Sequence, residues 1–267
     1  MKTAVISDIH LECHGKYNIF AELGNYLREN EIELLIIAGD IETDYKKTME
    51  FVRRLEKENN LMARYVPGNH DLWNVYHQEE SVDDIYRHFC EDERCLCGKE
   101  EILGDYVLIG DVGWYDYSYG SDKYSAEEYG RMEKNGRVWQ DSIRNTWTKD
   151  NKGRTDFFVE RLRDRLRQYP QQRKILVTHM ISHPSFKVPE NLRDWDYFNG
   201  FLGSEKLCQL CREFQVEYAI CGHVHYRKSF LENGTRWMCR CLNYEYEWDQ
   251  KDTLRRQIRE AAEILYL

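Results

Sequence analysis

Residues 63–71 read Ala63-Arg64-Tyr65-Val66-Pro67-Gly68-Asn69-His70-Asp71. A short β-prone run is cut off by Pro-Gly, and Asn-His-Asp follows at once, a polar triplet with no packing role to fill. The same grammar occurs twice toward the N-terminus. Leu34–Ala38 is a continuous apolar run closed by Gly39-Asp40, and Thr3–Ile6 is a β-prone run closed by Ser7-Asp8-Ile9-His10. Between these runs Ile19, Leu23 and Leu27, and then Met49, Val52 and Leu55, recur at helical spacing. The order βαβαβ predicts a parallel sheet with helices on its faces. Open α/β sheets hold their ligands at the carboxyl ends of the strands, where all three polar clusters fall.

Two more strands end in histidine. Lys174–Thr178 runs into His179, and Tyr218–Cys221 runs into Gly222-His223-Val224-His225. Arg227–Leu231 and Thr235–Cys239, joined by Glu232-Asn233-Gly234, predict a hairpin. From Leu72 to Tyr169 the pattern changes. Helical stretches are expected over Val82–Phe89, Tyr124–Trp147 and Phe157–Tyr169, around a strand pair near Glu101–Ile109, with Trp114, Tyr115, Tyr117 and Tyr119 gathered at a Gly-rich turn. The expectation is one domain over residues 1–267 with a cap insertion at about 72–169. Thr253–Leu265 is amphipathic and closes the chain.

A chain of 267 residues, 42% hydrophobic and 32% charged, can bury a sizeable core. Its net charge of -9 disfavours a nucleic-acid partner, whose backbone is bound by neutralising phosphates with Lys and Arg. A phosphate substrate stays compatible, because bound cations bring their own positive charge. No apolar run approaches the roughly 18 to 20 residues that span a bilayer, and Asp8 and His10 interrupt any secretory apolar block. The expected location is cytoplasmic, with no membrane partner. The nine Cys repeat no disulfide framework and read as reduced thiols, Cys208 and Cys211 as apolar positions of one helix. Arg154, Arg161, Arg163, Arg165 and Arg167 read as a solvated helix face, and His14, His77 and His88 as surface or capping residues. His183 follows the His179 loop and is placed within reach of a substrate.

Asp8, His10, Asp40, Asn69, His70, Asp71, His179, His223 and His225 thus gather at five strand ends. Imidazole nitrogen mixed with oxygen donors suits Mn, Fe, Zn, Ni or Co rather than Mg or Ca alone, and no thiolate cage is present. So many ligands exceed the needs of one ion, whereas two ions sharing a carboxylate would use them. Asp8 and His10 can serve one site only if the chain leaves regular pleating between them, and the same holds for His223 and His225.

In their order, Asp8-x-His10, Gly39-Asp40, Gly68-Asn69-His70-Asp71, the isolated His179 and Gly222-His223-x-His225 resemble the calcineurin-like metallophosphoesterase superfamily. The resemblance implies an α/β four-layer α/β/β/α sandwich with a helical insertion over the active-site face. It implies two divalent metal ions, Mn favoured, the first held by Asp8, His10 and His225, the second by Asn69, His179 and His223, with Asp40 bridging. It also implies that His70 acts near the leaving group and that Asp71 orients it. The implied reaction is hydrolysis of a phosphodiester or phosphomonoester, of a small molecule or nucleotide, by a metal-bridging hydroxide. A nuclease of the same superfamily and a non-catalytic metal-binding scaffold are the competing readings, the first disfavoured by net charge and the second by retention of every ligand.

Overall fold

The structure, a computed structural model, describes residues 1–249 and 252–267. β1 (Lys2–Ile6), α1 (Ile19–Glu29), β2 (Leu34–Ala38), α2 (Tyr45–Asn59) and β3 (Met62–Val66) form the expected unit, with β1 parallel to β2 and β2 parallel to β3. Asn18 and Asp44 start the two helices by accepting the amides of Ala21 and Lys46. α3 (Val82–Glu91) opens with a reciprocal Ser81–Asp84 cap. β4 (Glu101–Leu103) and β5 (Tyr106–Asp111) then begin a second sheet.

Next come α4 (Ala126–Gly130), β6 (Glu133–Lys134), β7 (Arg137–Val138) and α5 (Asp141–Arg144), and after them α6 (Asn151–Arg167) and β8 (Arg173–Thr178). The chain continues through α7 (Trp195–Phe198), α8 (Glu205–Glu213), β9 (Tyr218–Cys221) and the antiparallel hairpin of β10 (Arg227–Glu232) and β11 (Thr235–Arg240). α9 (Leu254–Ala261) leads into β12 (Glu263–Tyr266), which pairs antiparallel with β1. The first sheet has the order β12-β1-β2-β3 and the second β10-β11-β9-β8-β5-β4.

Alternation along the strands makes these sheets two inner layers between two layers of helix. In β2, Leu34, Ile36 and Ala38 join Leu108, Val177 and Ile220 of the other sheet, while Leu35 and Ile37 pack with helix residues such as Leu23 and Val52. β5 divides the same way, Leu108 inward and Val107 and Ile109 toward the helices. Strands buried on both faces read as unbroken apolar runs, which is what Leu34–Ala38 is. The fold is the α/β/β/α sandwich that the motifs imply.

Three sequence expectations change. β4, β5 and α6 belong to the sandwich rather than to an insertion, because β5 pairs in parallel with β8 and α6 packs on β5. The excursion over the strand ends is therefore narrower than 72–169, running over residues 113–150 and joined there by residues 181–203. The helix expected over Tyr124–Trp147 is broken by the hairpin of β6 and β7, since Asn135 and Gly136 both take positive φ, 51° and 78°, the tight-turn conformation that this dipeptide favours. The arginines of α6 are not a uniformly solvated face. Arg154 is buried against Asp83 at 2.6 Å, Arg161 binds the fully buried Asp111 at 3.1 Å, and Arg165 donates to the carbonyls of Leu96 and Gly110.

Arg161→Met is accordingly expected to lower unfolding free energy by about 2 kcal/mol, because it leaves Asp111 buried without its cation while the partly exposed arginine softens the loss. Arg167→Met, in the same strip but exposed, should stay within about 0.5 kcal/mol. Urea midpoints of the two variants check the difference.

Candidate metal centre

At the strand ends the chain leaves the pleat by left-handed residues. Asp8 has φ 50°, His10 45°, Asp40 52°, His223 72° and His225 57°. Such values are uncommon outside glycine, although Asp and His tolerate them better than most. They let residues two apart, Asp8 with His10 and His223 with His225, turn into one cleft. The loops are sewn to each other, with Asp8 N donating to Gly39 O at 2.9 Å and His10 N to Asp40 O at 3.0 Å. Two glycines are set by close approach: a Cβ at Gly68 would overlap the Asp40 carboxylate, and one at Gly222 would overlap that of Asp8.

Two of the resulting groups of ligand atoms come entirely from the motifs, and a third joins His10 and His70 to Glu12. Asp8, His10 and His225 form the first: His10 Nε2 lies 3.3 Å from His225 Nε2, and His225 Nε2 lies 3.5 Å from Asp8 Oδ1. Asp40, His179 and His223 form the second, with His179 Nε2 3.3 Å from Asp40 Oδ2 and 3.0 Å from Asn69 Oδ1. Asp40 Oδ2 also lies 3.7 Å from His10 Nε2, so this one oxygen stands between the groups. Its Oδ1 accepts the His70 amide at 2.9 Å.

Whether cations fit is answered by the outward-facing atoms. His10 Nδ1 meets Glu12 at 3.2 Å, His225 Nδ1 meets Glu247 at 2.6 Å, His179 Nδ1 meets the Ala38 carbonyl at 2.9 Å, and His223 Nε2 meets the Phe201 carbonyl at 3.2 Å. Each of these oxygens accepts, so the ring nitrogen facing it carries hydrogen and the other presents a lone pair inward. Lone pairs and carboxylate oxygens thus converge in a buried space, and a nitrogen and oxygen donor set of this kind fits a pair of divalent transition cations. Burial opposes charge at His179, yet Asp40 and Asp8 outweigh it and raise the group to about 9, so a cation at its Nε2 would have to compete with a proton there; burial and the neighbouring His179 push His223 down to about 4. Glu12 and Glu247 were not foreseen. Neither lies in a motif, and only the two-residue spacing from His10 hints at Glu12.

His70 stacks on Trp73, ring centroids 3.7 Å apart at 27°, with its Nδ1 3.7 Å from Glu12 Oε1. The expectation that Asp71 orients His70 is corrected. The Asp71 carboxylate is buried and accepts from the amides of Gly68, Ile41 and Glu42 and from the Thr48 hydroxyl at 2.7 Å, so it fastens the loop instead. Burial and Asp40 push Asp71 up to about 7 against those donors. His183 does not reach the cleft. It is buried, bonds Glu232 at 3.0 Å and packs against Trp237. His14 is no surface residue either, lying buried and stacked on Trp248. Cys208 and Cys211 are buried apolar positions of α8, as expected.

The family model described as calcineurin-like phosphoesterase matches residues 1–227. Uncharacterized protein L509 of Acanthamoeba polyphaga mimivirus is 24% identical over 262 residues, covering 91% of each chain. Among solved structures, a phosphopantetheinyl hydrolase from Mycobacterium tuberculosis superposes with a TM-score of 0.77 at 19% identity, over 94% of this chain and 93% of its own. A dimetal phosphatase from Danio rerio gives 0.52 at 14% identity, over 90% and 86%.

Asp40→Ala is expected to weaken both metal positions and Asp8→Ala chiefly one, because a single Asp40 oxygen, Oδ2, lies 3.7 Å from His10 in the first group and 3.3 Å from His179 in the second. Glu247→Gln should weaken one position by about 10- to 100-fold through the loosened His225 ring. Mn²⁺ titration of each variant, with the stoichiometry counted, checks these outcomes.

Proposed function

The chain belongs to the calcineurin-like phosphoesterase family, metal-dependent hydrolases of phosphoric esters, and we propose that it cleaves a small-molecule phosphoester with an apolar or aromatic substituent. In this reading Asp8, His10 and His225 hold one divalent cation, Asn69, His179 and His223 hold a second, and Asp40 bridges. The observation that carries it is the single oxygen, Asp40 Oδ2, between His10 and His179. When bound, the two cations supply Lewis acidity at the phosphoryl group and the means to ionise water near neutral pH.

The chain's own part is orientation and proton supply. His70 lines the cleft, and its imidazole is held from one side by the Trp73 ring. Burial opposes a proton there, but Asp40 and Glu12 outweigh burial and raise the group from its ordinary value. In this reading His70 is the group that hands a proton to the departing ester oxygen. The substituent runs along a cleft of about 450 Å³ whose walls include Trp73, Trp139, Trp195, Tyr244 and Tyr246, with Arg137 the one Lys or Arg among the described residues of its lining. Flat or apolar groups suit such walls. The phosphopantetheinyl group named for the Mycobacterium tuberculosis neighbour belongs in the same panel of substrates. The arginines of α6 favour no nuclease reading, since Arg154, Arg161 and Arg165 are engaged inside the fold.

His70→Ala tests the assignment. Metal content should stay at the wild-type value while kcat falls by roughly 10² to 10⁴ on an alkyl phosphoester, the range of a lost general acid. The fall should be smaller on p-nitrophenyl phosphate or its bis ester, whose leaving group departs without a proton. Equal falls on both classes would assign His70 to the phosphoryl oxygens instead, and loss of a metal would overturn its role.

A further inference from the structure

Asp141 opens α5 in the segment over the strand ends, and its side chain is buried. Five side-chain donors converge on it. Oδ1 accepts from Trp73 Nε1 at 2.8 Å, Asn69 Nδ2 at 2.9 Å and Asn145 Nδ2 at 3.0 Å; Oδ2 accepts from Trp139 Nε1 at 3.0 Å and the Tyr115 hydroxyl at 3.2 Å.

The Asn69 contact has a chemical consequence. The two ends of a carboxamide are nearly equal in shape, so only its partners decide which atom faces which way. Inward, Asn69 Oδ1 lies 3.0 Å from His179 Nε2; outward, its NH₂ meets an oxygen that accepts. Rotated by half a turn, the amide would aim N–H groups at a cation and oppose two oxygens to each other at Asp141. We infer that Asp141 is a positioning residue that selects the orientation of the Asn69 amide and so completes the second metal position. The same carboxylate holds the Trp73 ring on His70 and the Trp139 ring against His223, centroids 5.7 Å apart at 71°. Part of the metal centre is thus built by the cap, although no cap residue is a ligand. The inference rests on the reading of Asn69 as a ligand.

The test is a cycle of Mn²⁺ affinities for the wild type, Asp141→Asn, Asn69→Asp and the double variant. With Asn at 141 the Asn69 amide can turn over, and one of the two Mn²⁺ positions should weaken by about 10- to 100-fold while the other holds. With Asp at 69 both ends are oxygen and orientation no longer matters, but one of them opposes the Asp141 carboxylate; Asp141→Asn should then relieve that repulsion and leave affinity unchanged or raised, never lowered. Unchanged affinity in the Asn69 background would overturn the inference. So would an equal loss, of affinity or of fold, in both backgrounds, which marks a merely structural residue. Wild-type protein binding fewer than two Mn²⁺ would instead overturn the dinuclear reading itself, before any variant is compared.

Discussion

The strand-end cluster crowds imidazole nitrogens and carboxylate oxygens into one buried space. His10 and His225 point ring nitrogens at each other across 3.3 Å, and the carboxylates of Asp8 and Asp40 close the same space. Such groups repel one another when buried, so the rest of the structure must hold them in place. The two sheets supply the stiffness, their central strands buried on both faces and the sheets joined at the working end by a bridge between Ser7 and Cys241. There Ser7 N donates to Arg240 O at 2.8 Å and Leu242 N to Ser7 O at 2.9 Å. Around the cluster, Glu12, Glu247 and the carbonyls of Ala38 and Phe201 fix each ring by its far nitrogen. A cation at the centre turns the repulsion into attraction, which is why the arrangement reads as a metal site.

What was legible in the sequence follows from how locally each feature is written. Apolar runs ended by Gly-Asp or Gly-Asn-His announce strand ends with polar cargo, so the strands and the nine polar residues at their ends could be named. Asp71 shows the limit of the family resemblance: it implies a partner for His70, but the turn aims the Asp71 carboxylate at the amides of Gly68, Ile41 and Glu42. Asp141 and Glu247 meet their partners 72 and 22 residues away, and no spacing rule reaches so far. Asn135-Gly136 is a tight-turn dipeptide, and in the fold that local preference overrides the helical spacing on either side of it. A charge run such as the arginines of α6 says nothing about which carboxylates the fold will bring to it, here Asp83 and Asp111.

The cap is an aromatic structure more than a helical one. Tyr117 stacks on Tyr129 with centroids 5.0 Å apart, Tyr129 on Tyr197 at 5.0 Å, and Trp139 on Phe201 at 5.5 Å. Rings from residues 113–139 therefore interlock with rings from 195–201, and the Tyr197 hydroxyl adds a 2.7 Å bond to the Glu128 carbonyl. Trp114, Tyr115 and Tyr119 are consumed by packing, which leaves Trp73, Trp139 and Trp195 to line the cleft. Because Trp139 belongs to both the stack and the cleft, the shape offered to a substrate is set by the packing behind it.

The left-handed backbone at Asp8, His10, Asp40, His223 and His225 sets evolution against stability. Each such residue carries conformational strain of order 1 kcal/mol that glycine would relieve. A lineage that drifted to glycine at these positions would lose its ligands and gain a tougher fold. Keeping a side chain at all five positions therefore gives up stability that glycine would return, and what offsets the strain is the nitrogen or oxygen donor that each side chain brings to the cleft. The same arithmetic guides laboratory evolution of the centre: Asp, Asn and His are the ligand types this backbone accepts, while β-branched replacements at these positions would meet the steric barrier of their own main chain.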